Sequence, residues 1–321
     1  MNERIVAIGG GTGLSTMLRG LKNHTENVTA VVTVADDGGS SGILRENYGM
    51  LPPGDVRNCV SALSDVDPEI GEILNFRFKN GVFDGHSLGN IILAAINEIS
   101  PDFETAVKRF SKMAGIVGKV CPVTNDKVTL NAQLKDGTII TGESMIGMHR
   151  HEQPIERVFL TPKATAVDEA VKAIGEADII IMGPGSLYTS IIPNFLVDGV
   201  VEAIHNSKAV KVFVCNIMEQ EGETEGYSVN DHLAAIEKHS YNGIADVVIA
   251  NNAEIPEEVR EKYSMQYANR VRLDPEEVMK HSKLLMGNLA IVKDGQIRHN
   301  FNRLARVIIN IGKYSANERK Q

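Results

Sequence analysis

Short unbroken apolar runs alternate with stretches whose apolar positions recur every three or four residues, from the start of the chain to about residue 250. The runs at 5–8, 29–34, 179–182, 210–215 and 247–250 read as strands, and their lack of alternation predicts burial on both faces. The periodic stretches between them read as amphipathic helices. Strand–helix alternation of this kind predicts a Rossmann-like, mostly parallel sheet with helices on both faces. Ser100-Pro101 reads as an N-cap and first-turn proline ahead of Phe103, Ala106, Val107 and Phe110. Thr165 with Asp168, and Ser228 with Asp231, read as capping boxes opening two further helices.

The middle of the chain changes period. Residues 127–134, the turn Lys135-Asp136-Gly137 and residues 138–142 predict an antiparallel hairpin, and a further strand at 156–160 stops at Thr161-Pro162. Residues from about 118 to 160 are therefore expected as a β insertion in a single α/β domain covering 1–321. A second hairpin is expected at 289–298 around Lys293-Asp294-Gly295, and the tail 315–321 is expected to fray.

Two strands empty into glycine turns. The first, at 5–8, runs into Gly9-Gly10-Gly11-Thr12-Gly13. The other, at 179–182, runs into Gly183-Pro184-Gly185-Ser186 and then Leu187-Tyr188-Thr189-Ser190, with Pro193 and Asn194 closing the segment. Glycines admit phosphate close to the backbone, and a helix N-terminus offers it unpaired N–H groups. A dinucleotide fingerprint would place glycine at 14, where Leu14 stands, and no Lys-Ser or Lys-Thr completes a P-loop. The first turn is thus a phosphate cradle without a fingerprint for NAD. Open α/β sheets bind ligands at the carboxyl ends of their strands, so both turns are expected to face one crevice.

The strand at 29–34 ends in Asp36-Asp37, followed by Gly38-Gly39-Ser40-Ser41-Gly42. Paired carboxylates there can hold a hard cation such as magnesium or accept from ribose hydroxyls. Gly85-His86-Ser87-Leu88-Gly89 matches the nucleophile-elbow pattern literally, but a loop and not a strand precedes it. It reads instead as a helix start with His86, Ser87 and Asn90 presenting polar groups. Arg57 can clamp an anion or pair with Asp55. His149, Arg150 and His151 read as a solvated loop, while Arg298, His299 and Arg303 can bring positive charge to a diphosphate.

Composition narrows the classes. A net charge of −8 and the absence of tryptophan argue against a nucleic-acid partner. No apolar run is long enough to span a bilayer, and a strand from residue 4 leaves no room for a leader. Cys59, Cys121 and Cys215 are scattered, which argues against structural zinc or a disulfide framework and for a reducing cytoplasm.

The assembled motifs resemble the bacterial gluconeogenesis factor family, within the 2-phospho-L-lactate transferase (CofD-like) superfamily. The carrying segments are IVAIGGGTGLSTMLRGLK, VTVADDGGSSGILR, PPGDVRNCVSALS, GHSLGNIILAAI, MGPGSLYTSIIPNFLV and QEGETEGYSVNDHLAAIEKH. The resemblance implies a cytoplasmic regulator that binds a UDP-sugar, typically UDP-N-acetylglucosamine, and serves cell shape and wall synthesis on gluconeogenic carbon. It leaves open a magnesium-dependent transferase of the phospholactyl type. Asp36 and Asp37 match that branch's aspartates, but its Ser-Pro-Asp-Leu-Asp-type deazaflavin segment is replaced here by Gly38–Gly42 and Pro52–Asn58. NAD-type dinucleotide binding is the third reading. For a UDP-sugar, the expected diphosphate ligands are the amides of Gly10, Gly11, Thr12, Gly13, Gly185 and Ser186, with the Thr12 hydroxyl, and Gly183 is expected in the same site. Asp36, Asp37, Ser40, Ser41 and Thr189 complete the expected site. Asn90 and Asn194 are expected to read base or sugar, and Arg57 and Arg298 to meet phosphate. A homo-oligomer and cell-wall synthesis regulators are the expected partners.

Overall fold

The computed structural model describes residues 3–65, 68–148, 153–257, 259, 269–293 and 295–318. Seven parallel strands form the main sheet: β1 (Ile5–Gly9), β2 (Val28–Val32), β3 (Lys119–Pro122), β7 (Ile179–Met182), β8 (Val210–Val214), β9 (Val247–Asn251) and β10 (Lys283–Gly287). Between β3 and β7 lie β4 (Thr129–Leu134), β5 (Ile139–Thr141) and β6 (Ile155–Thr161), a separate antiparallel sheet in the order β5-β4-β6. The hairpin β11 (Ala290–Lys293) and β12 (Gln296–His299) follows β10.

The main sheet runs β10-β9-β8-β7-β1-β2-β3. From β1 the chain winds outward one way through β2 and β3, and from β7 it winds the other way. The reversal falls between β1 and β7, which pair Ile5 with Ile179 through Ile8 with Met182. Every residue of β1, β7 and β9 is buried, as their unbroken apolar runs require of strands covered on both faces.

Helix α1 (Gly11–Leu21) leaves β1 directly and buries Leu14, Met17, Leu18 and Leu21. Its spacing places two glycines where other main chain comes close. A Cβ at Gly13 would lie 2.5 Å from the Pro184 carbonyl oxygen, and one at Gly20 would collide with the Phe301 carbonyl. α1 is therefore held against the second glycine turn at one end and the last helix, Phe301–Glu318, at the other. Helices α2 (Gly39–Tyr48) and α3 (Gly54–Leu63) follow β2, tied where Ser41 Oγ accepts from the Gly54 N–H.

Several expected boundaries move. β3 pairs with β2 in the main sheet, so the antiparallel layer begins at Thr129 and not near 118. Asp102 caps the helix Phe103–Met113, accepting from the Thr105 N–H; Ser100 instead bonds back to the Ile96 carbonyl. Thr165 makes no capping box, because its N–H goes to Asp126 and the helix Asp168–Glu176 starts after Val167 without a side-chain cap. The Ser228–Asp231 box is formed in both directions, opening the helix Val229–Lys238. His149, Arg150 and His151 lie outside the described residues.

Candidate functional site

A cleft of about 470 Å³ opens beyond the carboxyl ends of β1 and β7, where the sheet order reverses. Both glycine turns line it, through Gly11, Thr12 and Gly13 on one side and Pro184, Gly185 and Ser186 on the other. Of the remaining expected residues, Asp36, Thr189 and Arg298 also reach it.

The two turns differ in what they offer. No side chain caps α1, whose N-cap is Gly10, so its first-turn N–H groups lack intrahelical partners. Among the described residues the one engaged is that of Gly11, held by the Asp55 carboxylate. The second turn is already filled. Gly185 N–H donates to Asn216 Oδ1 at 3.3 Å, and Asn216 Nδ2 returns a bond to the Gly185 carbonyl at 2.7 Å. Past it, residues Leu187–Ile191 wind as a single π turn. The buried Glu223 accepts there from Tyr188 N–H at 3.0 Å and Thr189 Oγ1 at 2.9 Å.

Asp36 and Asp37 part company. Asp36 faces the cleft. Asp37 accepts from the Glu143 and Ser144 N–H groups at 3.1 and 2.8 Å, pinning the helix Glu143–Gly147 of the antiparallel layer. With both oxygens so engaged, Asp37 is turned to that helix start and is not among the residues that line the cleft beside Asp36. Its effect on the cleft is indirect, because the turn it holds brings Glu143 to the cleft wall.

The acids actually gathered are Asp36, Asp55 and Glu143. Burial pushes Asp55 up to about 7, with the Asp36 charge adding to it against the Gly11 N–H and Arg57. Burial raises Glu143 to about 8, reinforced by Asp36 and Asp55. Asp36 is raised too, mainly by burial. Among the described residues no three His, Cys, Asp or Glu side chains form a metal cage. A magnesium ion commonly takes one or two carboxylates plus waters and substrate phosphates, and Asp36 with Asp55 fits that smaller donor set.

Other expected residues lie behind the cleft. Asn90 donates to Ser40 at 3.1 Å and accepts from Arg57 Nε at 3.3 Å, while Ser40 pairs with His86 Nδ1 at 2.9 Å. Arg57 also donates to Asn75 at 2.6 Å, so its guanidinium serves this network and not a cleft anion. Asn194 is fully buried and donates to the Ser190 carbonyl at 2.8 Å. Gly183 is a backbone hinge at φ +79° before a cis Pro184. Ser87 caps the helix Leu88–Glu98 by accepting from Asn90 N–H, so the elbow-like pattern is a helix start.

The sequence reading passes over Asp55 as a site residue and over Glu143 altogether, and it meets the Asn216–Glu223 loop only in the family segment that begins at Gln220, with no site residue named there. Asp55 had a local signal, an acid opening a helix after Pro52-Pro53. Glu143 had none, because the antiparallel layer delivers it across more than 100 residues. His299, which burial lowers to about 4, and Arg298 enter from β12. Arg298 also donates to Gln296.

The 2-phospho-L-lactate transferase CofD family model matches residues 5–289. A Thermoanaerobacterium thermosulfurigenes protein is 51% identical over 312 residues, 96% of each chain. The gluconeogenesis factor of Bacillus subtilis is 44% identical over 311 residues, covering 96% of this chain and 98% of its own. The chain belongs to the gluconeogenesis factor family, within the CofD-like superfamily. A crystal structure of a Bacillus halodurans protein described as a UPF0052 family member, 44% identical, superposes with a TM-score of 0.93 over 96% of this chain and all of its own. The gluconeogenesis factor fold is thus a mostly parallel α/β sheet with a small antiparallel layer. Among the described residues no helix is long and apolar enough to cross a membrane.

Proposed function

We propose that this gluconeogenesis factor is a cytoplasmic regulator that binds a nucleoside diphosphate sugar of the UDP-N-acetylglucosamine type, and that this binding underlies a role in cell morphogenesis on gluconeogenic carbon. The observation that carries the reading is the uncapped start of α1 in the cleft. An anion there meets free N–H groups and the positive end of the helix dipole without any lysine. A cleft of about 470 Å³ is in the range of small-molecule sites. Arg298 at the rim adds a guanidinium, and Thr12 adds a hydroxyl.

Calorimetric titration of UDP-N-acetylglucosamine tests this. The wild type is expected to bind, with Thr12→Ala weaker by roughly tenfold to a hundredfold, the worth of one hydrogen bond to a charged group. No binding by the wild type overturns the ligand, and preferential binding of NAD transfers the site to the dinucleotide reading.

The acidic wall favours a second reading, a magnesium-dependent transferase of the phospholactyl class. Asp36 and Asp55 would hold the cation beside the phosphates, where it would offset charge developing in transfer. Metal-dependent turnover of activated phospho-donors, lost in Asp55→Asn, is its expected signature. Binding without turnover in magnesium leaves the regulator.

A further inference from the structure

Glu223 sits on the loop between β8 and the helix Val229–Lys238 and is 3% exposed. Its acceptor oxygens meet four donors: the Tyr188 N–H, the Thr189 N–H, the Thr189 hydroxyl and Gln220 Nε2, the last at 3.2 Å. All but Gln220 belong to the π turn Leu187–Ile191. The carboxylate therefore occupies the anion position at the start of that turn, the position left open at α1. Asn216 does the same for the Gly185 N–H.

We propose that Glu223 is a positioning residue that makes the second glycine turn a hydroxyl-reading wall for the sugar of the bound nucleotide, leaving the phosphates to α1. The inference rests on the nucleotide-sugar reading and adds the ligand's orientation. With the Gly185, Tyr188 and Thr189 N–H groups spent, the turn presents side-chain hydroxyls. Thr189 lines the cleft and gives its hydroxyl proton to Glu223, so its oxygen can serve a ligand as an acceptor only. Ser186 Oγ accepts from Gln220 Nε2 at 2.5 Å, which leaves its proton to donate. Ser190 lines the same wall. A fixed acceptor beside a fixed donor suits a polyol, whose hydroxyls both give and take. Burial raises Glu223 to about 7, against the Thr189 and Tyr188 donors that favour its charged form. The hydrogen bonds hold it where solvation cannot.

The test compares UDP with UDP-N-acetylglucosamine by calorimetry on the full chain, for wild type, Glu223→Ala, Glu223→Gln and Gln220→Ala. The expected result is a loss of about tenfold or more in affinity for UDP-N-acetylglucosamine in Glu223→Ala, with UDP changed less than twofold. Glu223→Gln keeps one acceptor oxygen and is expected to restore part of the loss. Gln220→Ala releases Ser186 and takes one of the four donors from Glu223 while leaving the other three, and is expected to show a smaller loss with the same selectivity. It also carries the test should Glu223→Ala fail to fold. Equal weakening of UDP and UDP-N-acetylglucosamine, or no change in either, overturns the proposal. Binding of neither ligand by the wild type fails the underlying reading instead.

Discussion

Asp36 and Asp37 are neighbours in the chain and serve different ends. One faces the cleft, and the other holds Glu143 and Ser144 by their N–H groups. Nothing local distinguishes two adjacent acids at a strand end, since the choice is made by a turn that arrives from the antiparallel layer. Asp37→Ala is accordingly expected to destabilise the fold by about 1–2 kcal/mol, by leaving two part-buried N–H groups unpaired. Chemical denaturation measures this. Asp55 and Glu143 bring a pH dependence of their own. Each holds its proton more tightly in the folded chain than in the unfolded one, so each supports the fold at low pH and stops doing so as pH rises through about 7 and about 8. Their joint contribution to the stability of the unliganded protein is expected to fall from about pH 5 to 8 and to level off above. Asp55→Asn should shallow that slope, and an unchanged slope would assign it to other groups.

At the scale of elements, the glycine turns and buried strands were legible because their signals are local: apolar runs, then residues that permit close approach. Caps were less so. Ser100-Pro101 has the composition of a helix start, yet Ser100 finishes the preceding helix through the Ile96 carbonyl, and Asp102 is the cap. Replacing Asp102 by alanine is expected to cost about 1 kcal/mol and Ser100 clearly less, by thermal or urea denaturation. Thr165 shows the same competition, since Asp126 claims the N–H that a capping box would need. The Ser228–Asp231 box formed because both of its bonds lie within four residues. The Asn216–Glu223 loop carries no periodic or capping signal, and its role depends wholly on which turn it meets. Legibility thus ended where a contact crossed from one layer to another.

For the whole molecule, the sheet order places the cleft at the one point where two windings diverge, so its walls come from distant parts of the chain: β1, β7, β8 and β12. The expectation that both glycine turns share a crevice followed from strand ends alone. Arg298 and His299 of β12 were expected there from the residues that follow the last hairpin, and both line the cleft. A ligand binding across these walls stabilises the entire fold. Saturation at 100 times the dissociation constant is expected to add about 2.7 kcal/mol, visible as a rise in melting temperature. A Gly13→Ala chain should lose that rise, because the added methyl meets Pro184 main chain.

α1 lies with Gly13 against Pro184 and Gly20 against Phe301, main chain on main chain at both ends. Such a helix is a keyed shaft: it can neither turn nor slide without backing out two carbonyls at once. Adaptation to new ligands is then confined to the loops around it, and the six residues between those glycines bound how far this site can drift while remaining the same protein.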